Sequence, residues 1–264
     1  MVKLIVTGAG GKVGSTILNL AQKDRDIEVV GVVEAKGHPL VGKAMNWIAG
    51  DREHSLTVID NLSAAVEKSD VVVDFTEASA SIDYFRIARQ KRKGMVIGTT
   101  GFPDHAMAEI KGASDAKVVI SPNMSVGMNL MFDVVEKLSR IMKDDYDIEI
   151  IEMHHKMKKD APSGTAVKLK DIVEASDPVR EWIEVFGRKG ITGERKKGEL
   201  AILALRGGDV VGEHTVMFAG AGERLEVTHR AYSRENFARG ALLAAKWLSA
   251  QGNGIYSMKD VLGI

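Results

Sequence analysis

The chain has 264 residues, and its 36 lysines and arginines balance its 36 aspartates and glutamates, so the formal net charge at pH 7 is zero. A neutral chain has no overall field that attracts nucleic acid or an anionic membrane, and we expect neither as a partner. The absence of cysteine excludes disulfides, thiol nucleophiles and cysteine-ligated metals. No stretch reaches the roughly 18 apolar residues of a membrane span, so we expect a cytoplasmic protein.

The first half alternates short Val- and Ile-rich runs with longer segments of helical periodicity, which is typical of a parallel sheet covered by helices on both faces. The predicted strands are Lys3–Thr7, Glu28–Val33, Val71–Phe75, Met95–Gly98 and Lys117–Ile120. The predicted helices are Val13–Gln22, Ala78–Arg92 and Ala106–Ala113. This order predicts an α/β domain with a Rossmann-like, doubly wound parallel sheet.

The rhythm changes near Pro122–Ser125, which predicts the start of a smaller α+β domain. Its predicted elements are a Met- and Leu-rich helix over Ser125–Met142, a strand over Asp147–Met153, a helix over Val167–Glu174, and strands over Leu200–Arg206, Val210–Ala219 and Arg224–His229. An amphipathic helix follows over Arg234–Ser249 and could belong to either domain. The short turns between the last three strands suggest a meander.

Residues Gly187–Glu199 contain almost nothing to bury, so we predict a mobile surface loop with Arg195-Lys196-Lys197 solvated. Met124, Met128 and Met131 recur at helical spacing, and we predict that this stripe packs in a core.

A glycine-rich loop, Gly8-Ala9-Gly10-Gly11-Lys12-Val13-Gly14, follows the first predicted strand and opens a helix. Backbone N–H groups and the positive end of the helix can meet a pyrophosphate there. Glu34 ends the second strand, 20 residues past Gly14, where its carboxylate can accept hydrogen bonds from a ribose. These features predict a nicotinamide dinucleotide site; the alternative is a turn that only permits close packing of the helix on the strand.

Two further features bear on the cofactor. The turn Gly98-Thr99-Thr100-Gly101 ends the fourth predicted strand, where a doubly wound sheet binds its ligand, although hydroxyl-rich turns also serve as helix caps. Glu34 favours NAD over NADP, whereas Lys36, two residues on, could pair with a 2′-phosphate or remain a solvated surface charge. We therefore expect NADH to be used well and leave NADPH open.

The segment from Glu152 to Ala166 follows a strand and enters a helix. His154, His155 and three lysines (Lys156, Lys158 and Lys159) make it locally cationic, which suits a small anionic substrate. Ser163, Gly164 and Thr165 can offer N–H and hydroxyl donors to a carboxylate at a helix N-terminus. Where a strand ends, His154, His155 and Lys158 can reach one cleft and supply the proton that a hydride transfer requires.

Other interpretations of this segment remain open. The two histidines could be surface or core residues, and Lys156 and Lys159 could form a solvated face. We expect no metal site, because adjacent histidines lack the four-residue helical spacing of zinc ligands.

Motifs across the whole chain resemble those of the dihydrodipicolinate reductase family of lysine and diaminopimelate biosynthesis. They are Gly8–Gly14, Val73-Asp74-Phe75-Thr76, Gly98–Gly101, Ser121-Pro122-Asn123-Met124, His154–Ala166, Gly212-Glu213-His214-Thr215 and Thr228-His229-Arg230. The pattern His-His-x-x-Lys-x-Asp-Ala-Pro-Ser-Gly-Thr is specific to that family, whereas the glycine loop is shared by many dehydrogenases.

The resemblance implies an oxidoreductase that reduces a cyclic dicarboxylate, 4-hydroxy-tetrahydrodipicolinate, with NADH or NADPH and loss of water. It implies that His154 is the acid/base and Lys158 a proton donor. The substrate-binding residues expected are His155, Ser163, Gly164, Thr165 and Thr100. The cofactor-binding residues expected are Gly8, Ala9, Gly10, Gly11, Lys12, Val13, Glu34, Gly98, Thr99, Thr100, Ser121, Pro122, Asn123 and Met124.

The resemblance also implies a division of labour between domains. Residues 1–124 and 237–264 would form the dinucleotide-binding domain, to which the final helix returns, and 125–236 a substrate-binding and oligomerisation domain whose open mixed sheet builds a homotetramer. Ala35 departs from members that favour NADPH, which often have Arg there. Two other functions compete: another Rossmann dehydrogenase of amino-acid metabolism, which has no reason for the His-Lys cluster, and a non-catalytic nicotinamide sensor, which has no need of proton donors.

Overall fold

The protein consists of two compact units. The computed structural model describes residues 1–49 and 52–264. The first unit comprises Met1–Val126 and Arg234–Ile264, and the second comprises Gly127–Ser233. These limits lie within three residues of the domain limits expected from the sequence. No helix in the described part of the chain is long and apolar enough to span a membrane.

The strands are β1 (Val2–Thr7), β2 (Ile27–Val33), β3 (Ala44–Ala49), β4 (Arg52–Thr57), β5 (Val71–Asp74), β6 (Gly94–Ile97), β7 (Lys117–Ile120), β8 (Asp147–His154), β9 (Ile183–Val185), β10 (Glu199–Arg206), β11 (Gly212–Ala219), β12 (Arg224–Ala231) and β13 (Gly254–Tyr256). The α-helices are α1 (Lys12–Ala21), α2 (Ala78–Gln90), α3 (Asp104–Lys111), α4 (Val126–Met142), α5 (Gly164–Ser176), α6 (Glu235–Ser249) and α7 (Met258–Leu262).

The first unit contains a six-stranded parallel sheet in the order β13-β7-β6-β5-β1-β2. Chain order reverses between β1 and β5, and the carboxyl ends of strands at such a reversal are where open α/β sheets bind ligands. The predicted doubly wound sheet is thereby confirmed. The strands are Val- and Ile-rich and almost fully buried, because helices cover both faces.

Helix α6 completes the core of the first unit. Its small and apolar side chains pack with Ile17 and Leu18 of α1. Ala241, Leu242, Ala245 and Leu248 are all buried, which confirms the apolar stripe expected for this helix. The C-terminal part of the chain therefore belongs to the same unit as the N-terminal strands.

The second unit contains a mixed five-stranded sheet in the order β12-β11-β8-β10-β9. Strand β10 runs parallel to β8 and β9, whereas β11 runs antiparallel to β8 and β12. The expectation of a meander is wrong, because β8 lies between β10 and β11. The connection from β8 to β10 includes α5, and such a crossover makes two strands parallel. Only β11 and β12 form the expected hairpin.

Several elements are absent from the sequence-based predictions. The β3–β4 hairpin, β9, β13 and α7 are short or poor in the Val and Ile runs that indicate strands. Met128 and Met131 are buried in the core of the second unit, as predicted. Met124 is also buried, but it precedes α4 and packs in the core of the first unit, so the three methionines do not form one stripe.

The loop between β9 and β10 is held to the sheet by two arginines. Arg188 donates to both carboxylate oxygens of Glu149, at 3.1 and 3.0 Å. Arg195 pairs with Asp147 and donates to Glu149 at 3.2 Å. The Arg195 side chain is only 19% exposed, so the prediction that it is solvated is wrong: carboxylates at the start of β8 bind it. Lys196 and Lys197 are exposed, as predicted.

We expect Arg195→Ala to lower the free energy of unfolding by about 1–3 kcal/mol, the range for hydrogen bonds to charged groups. Urea denaturation measures the change. The matched control is Lys196→Ala, an exposed neighbour, which should change stability by less than about 0.5 kcal/mol. Equal effects of the two substitutions would contradict this account of the loop.

Candidate active site

A cluster of polar side chains lies on one face of the second sheet, where the middle strand β8 ends. Alternate residues of a strand share a face, and apolar side chains fill the earlier core-facing positions of β8. Glu152 and His154 continue that row. The register of the sheet places His214 of β11 opposite Glu152 and Arg206 of β10 opposite His154. Three strands therefore bring two imidazoles, a carboxylate and a guanidinium together.

The Glu152 carboxylate is fully buried and accepts hydrogen bonds on both oxygens. Oε1 accepts from the Ser163 N–H at 3.0 Å and from Nη2 of Arg206 at 2.9 Å. Oε2 accepts from Nη1 of Arg206 at 2.9 Å and lies 2.6 Å from Nδ1 of His154. Burial alone would raise the pKa of Glu152, but these hydrogen bonds outweigh it and hold the pKa below its usual value. Glu152 is therefore ionised at neutral pH.

His154 is largely buried, with 12% of its side chain exposed. Burial lowers the pKa of its imidazole, the Glu152 carboxylate raises it, and the cations of Lys158 and Arg206 lower it further. The net pKa lies below the usual value, so the ring is mostly neutral at pH 7. Its ring meets that of His214 edge to face, with 5.2 Å between centroids.

Lys158 lies in the segment that follows β8. Its Nζ donates to both oxygens of Asp160, at 2.9 and 2.8 Å, and this hydrogen bond lowers the pKa of Asp160. Lys158 is close enough to lower the pKa of His154. The structure thus places the two predicted catalytic residues at the same end of β8.

Helix α5 begins beside this cluster. The Ser163 hydroxyl accepts from the Ala166 N–H at 3.2 Å, as an N-cap, and lies 2.9 Å from Nε2 of His214. Burial lowers the pKa of His214 to about 3, so its ring is neutral at pH 7. Ser163 is buried, and its hydroxyl already bonds to the Ala166 N–H and His214. Gly164 is exposed at the start of the helix.

His155 follows β8 directly and is half-buried. Its backbone N–H donates to the Val210 carbonyl at 2.8 Å. Among the described residues, none forms a hydrogen bond with its buried Nδ1. Lys156 and Lys159 are exposed, as expected for a solvated face. Within residues 1–49 and 52–264, no three His, Asp or Glu side chains are arranged to hold a metal ion.

The sequence analysis assigned no role to Glu152, Arg206 or His214. A signal for Glu152 exists, because it follows two core-facing isoleucines, Ile148 and Ile150, at alternate positions of the strand, and a buried carboxylate requires partners. Arg206 has no such local signal. It joins the cluster only through the pairing of β10 with β8.

The glycine loop of the first unit turns tightly between β1 and α1. Gly8 has φ +66°, a conformation that glycine adopts readily. A Cβ on Gly14 would lie 2.1 Å from the Gly8 carbonyl oxygen, so only glycine lets α1 start directly against the loop. The N-cap of α1, Gly11, has no side chain to cap the first-turn N–H groups, which leaves the positive end of the helix to an anion. Gly10, Gly11 and Lys12 are exposed, Val13 is half-buried and Ala9 is buried.

Glu34 lies against this loop, directly after β2. Its Oε1 accepts from the Gly10 N–H at 2.7 Å, and Oε2 accepts from the Ala35 N–H at 3.0 Å. A carboxylate has about four acceptor positions, so it can still accept from ribose hydroxyls. Lys36 is exposed nearby in sequence.

The buried carboxylate of Asp74 connects three strand ends at the carboxyl-end edge of the first sheet. Its Oδ1 accepts from the hydroxyls of Thr7 at 2.6 Å and Thr76 at 2.7 Å. Its Oδ2 accepts from the hydroxyl of Thr99 at 2.7 Å. Thr99 is therefore buried and its hydroxyl is hydrogen-bonded to Asp74, whereas its neighbour Thr100 is exposed.

The other predicted cofactor residues lie at the same edge. Gly98 directly follows β6, and its N–H donates to the Asp74 carbonyl at 2.9 Å. After β7, the Ser121 hydroxyl donates to the Asn123 carbonyl at 2.8 Å. Pro122 is exposed. The Met124 side chain is only 1% exposed and packs in the core, so it supports this segment from beneath.

Two family models together match nearly the whole chain. The model described as dihydrodipicolinate reductase, N-terminus, matches residues 2–124, and its C-terminal counterpart matches residues 127–262. Relatives named 4-hydroxy-tetrahydrodipicolinate reductase from Syntrophus aciditrophicus and Anaeromyxobacter dehalogenans are each 46% identical over all of this chain and 99% and 98% of their own length. The chain belongs to the dihydrodipicolinate reductase family. It is an oxidoreductase, and its Rossmann-type N-terminal unit implies a nicotinamide cofactor.

Solved structures show how widely this fold is shared. A dipicolinate-bound dihydrodipicolinate reductase from Paenisporosarcina has a TM-score of 0.79 at 23% identity and covers 98% of this chain and 99% of its own. Aspartate semialdehyde dehydrogenase II from Vibrio cholerae has a TM-score of 0.57 at 11% identity and covers 94% of this chain and 98% of its own. The fold alone therefore does not separate the reductases from other dehydrogenases.

We expect Asp74→Asn to lower the free energy of unfolding by about 1–3 kcal/mol, because the amide cannot accept from all three buried hydroxyls. The substitution should also weaken NADH binding, since Thr99 loses the bond that holds the turn before Thr100. Urea denaturation and NADH fluorescence titration measure the two effects. Asp83→Asn, at an exposed carboxylate of α2, is the control and should change neither. An Asp74→Asn variant as stable as the wild type would contradict the role of this carboxylate.

Proposed function

We propose that this protein reduces 4-hydroxy-tetrahydrodipicolinate to tetrahydrodipicolinate, with loss of water, using NADH or NADPH in lysine and diaminopimelate biosynthesis. The observation that carries this proposal is the 46% identity, over the full chain, to relatives named for that reaction. The cluster at the end of β8 contains the acid and base groups that such a reduction needs.

Loss of water leaves a ring double bond, and the reduction then adds one hydride and one proton across it. The nicotinamide supplies the hydride when it is bound. The proton has to come from a group beside the ring, and His154 and Lys158 are the groups present at the end of β8. In this proposal Lys158 donates this proton from its ammonium group. The neutral imidazole of His154 accepts a proton from the substrate during the loss of water and returns it to the departing hydroxyl.

The start of α5 would bind a substrate carboxylate. The N–H groups of Gly164 and Thr165 lie in the first turn, where the helix presents its positive end. Ser163 acts on this site by capping the helix, since its hydroxyl is bonded to the Ala166 N–H and His214. His155 adds an imidazole on the preceding segment. Thr100 of the first unit is exposed and would contact both substrate and cofactor.

The first unit would hold the cofactor. The loop from Gly8 to Val13 would bind the pyrophosphate, and Glu34 the adenosine ribose. The segments Gly98–Thr100 and Ser121–Asn123 follow β6 and β7, so they would line the nicotinamide end of the crevice. Glu34 favours NADH, and Lys36 allows NADPH.

The second unit would also build the assembly. The face of its sheet turned away from the core carries Leu205, which is 47% exposed in the single chain, beside the half-buried Met153 of β8. Exposed apolar surface on a sheet is typical of a contact between subunits. We propose a homotetramer assembled through this sheet.

The experiment that tests the reaction is NADH and NADPH oxidation by the purified protein. The preceding synthase generates the unstable substrate in the cuvette from pyruvate and aspartate semialdehyde. Rapid oxidation that requires the synthase supports the proposed reaction. Tight NADH binding without oxidation would contradict it and favour a nicotinamide sensor, while oxidation with aspartate semialdehyde alone would favour another dehydrogenase.

We expect His154→Ala and Lys158→Ala each to lower kcat by about 10²- to 10⁴-fold, the usual contribution of a general acid or base. Their dissociation constants for NADH should remain within about twofold of the wild type, because these groups act on the proton and not on the dinucleotide. Lys156→Ala removes an exposed ammonium from the same segment and is the matched control. A Lys158→Ala variant with normal turnover would disprove the role of Lys158.

We expect Lys36→Ala to raise the KM for NADPH by about two- to fivefold, the energy of one exposed ion pair. The KM for NADH should not change, since NADH has no 2′-phosphate. Steady-state kinetics with each cofactor measure both constants. Lys23→Ala, at another exposed lysine of the first unit, is the control. Equal changes with the two cofactors would show that Lys36 does not contact the 2′-phosphate.

A further inference from the structure

His154 is held through its Nδ1 nitrogen. Its Nδ1 lies 2.6 Å from Oε2 of Glu152. An ionised carboxylate can only accept hydrogen bonds, so Nδ1 carries the ring proton of the neutral imidazole. Its Nε2 faces Gly212 of β11, where a Cβ would lie 2.9 Å away. A side chain at this position would clash with Nε2, so glycine leaves room for the ring in this orientation. In the neutral ring with its proton on Nδ1, Nε2 carries the lone pair that can accept a proton.

Arg206 balances the charge that Glu152 brings to the imidazole. It donates to both carboxylate oxygens, at 2.9 Å each, and its Nη2 also donates to the Asp160 carbonyl at 2.7 Å. The guanidinium therefore neutralises a carboxylate that would otherwise be buried alone beside His154. Because Arg206 neutralises the carboxylate, Glu152 can orient the His154 ring while the ring stays neutral.

We propose that Glu152 is the positioning residue for His154: its carboxylate holds the imidazole with the proton on Nδ1 and so assigns Nε2 to the exchange of the substrate proton. Arg206 completes the device by neutralising that carboxylate. This inference rests on the proposed function, and it assigns roles to two residues that never touch the substrate. In other proteins, too, a carboxylate bonded to one ring nitrogen fixes the tautomer of a functional histidine.

Charged or titratable side chains face His154 from β8, from the two adjacent strands and from the segment after β8. They are Glu152 on β8, Arg206 on β10, His214 on β11 and Lys158 in the segment after β8. His214 is neutral at pH 7, since burial lowers its pKa to about 3. Glu152 raises the pKa of His154, whereas Lys158 and Arg206 lower it.

Because Glu152 and Arg206 shift the pKa of His154 in opposite directions, substituting them should move the pH-rate profile in opposite directions. Glu152→Gln removes the negative charge and leaves one acceptor oxygen where His154, Arg206 and the Ser163 N–H now share two. We expect kcat to fall by about 10- to 10²-fold, and the pH-rate limb of His154 to move to lower pH. Arg206→Gln removes a positive charge, and the same limb should move to higher pH. A general loss of packing would not move the limb in opposite directions.

The controls separate this role from stability. Glu149→Gln changes a carboxylate on the same strand that is also paired with arginines but lies away from His154, and it should keep the wild-type kcat and pH profile. Glu152→Asp keeps the charge on a shorter side chain. It should lose turnover while its pH-rate limb stays near that of the wild type, and it serves if Glu152→Gln does not fold. NADH titration checks that the first unit is intact in every variant.

The outcomes distinguish this inference from the proposed reaction. If the wild-type protein oxidises NADH with the synthase-generated substrate, the reaction stands whatever the variants show. Under that condition, wild-type kcat and an unshifted limb in Glu152→Gln would overturn the role of Glu152. The role of Glu152 would also be overturned if the pH-rate limb of Glu152→Asp, which keeps the charge, moved to lower pH as far as that expected for Glu152→Gln. If the wild-type protein binds NADH and oxidises none, it is the reaction that fails.

Discussion

The buried carboxylate of Glu152 is the constraint on which the second unit depends. It lies on the middle strand of a five-stranded sheet and accepts from Arg206 of the neighbouring strand, from the Ser163 N–H that precedes α5, and from His154. A buried charge is tolerated only with such partners, and removing Arg206 would leave it uncompensated. One carboxylate thus fixes a strand pairing, the start of a helix and the orientation of an imidazole.

The first unit uses the same device at its own ligand-binding edge. Asp74 is fully buried at the end of β5 and accepts from three threonine hydroxyls, which belong to β1 and to the segments after β5 and β6. These bonds satisfy buried polar groups where the strands stop pairing. They leave Thr100 exposed at the turn while Thr99 is held beneath it. In both units, a buried carboxylate holds a neighbouring side chain in place: His154 beside Glu152, and Thr99 beneath the exposed Thr100.

The sequence predicted the elements whose signals are local. The alternation of Val-rich strands with amphipathic helices predicts the first sheet, and the apolar stripe of α6 predicts its packing. Strand order in the second unit could not be predicted, because β10 pairs with β8 across a long crossover. Arg206 and Arg195 were missed for the same reason: their partners lie on strands distant in sequence. Glu152 could have been found, since it interrupts a core-facing row of isoleucines.

The central claim is that the protein transfers a hydride from its nicotinamide cofactor to the ring of its substrate. The most direct measurement follows deuterium from NADH labelled at the transferred position of its nicotinamide, with substrate made in the reaction by the synthase. Mass spectrometry of the product should find one cofactor-derived deuterium on a ring carbon for each NADH oxidised. NADH oxidation that leaves no cofactor deuterium in the product would contradict the account.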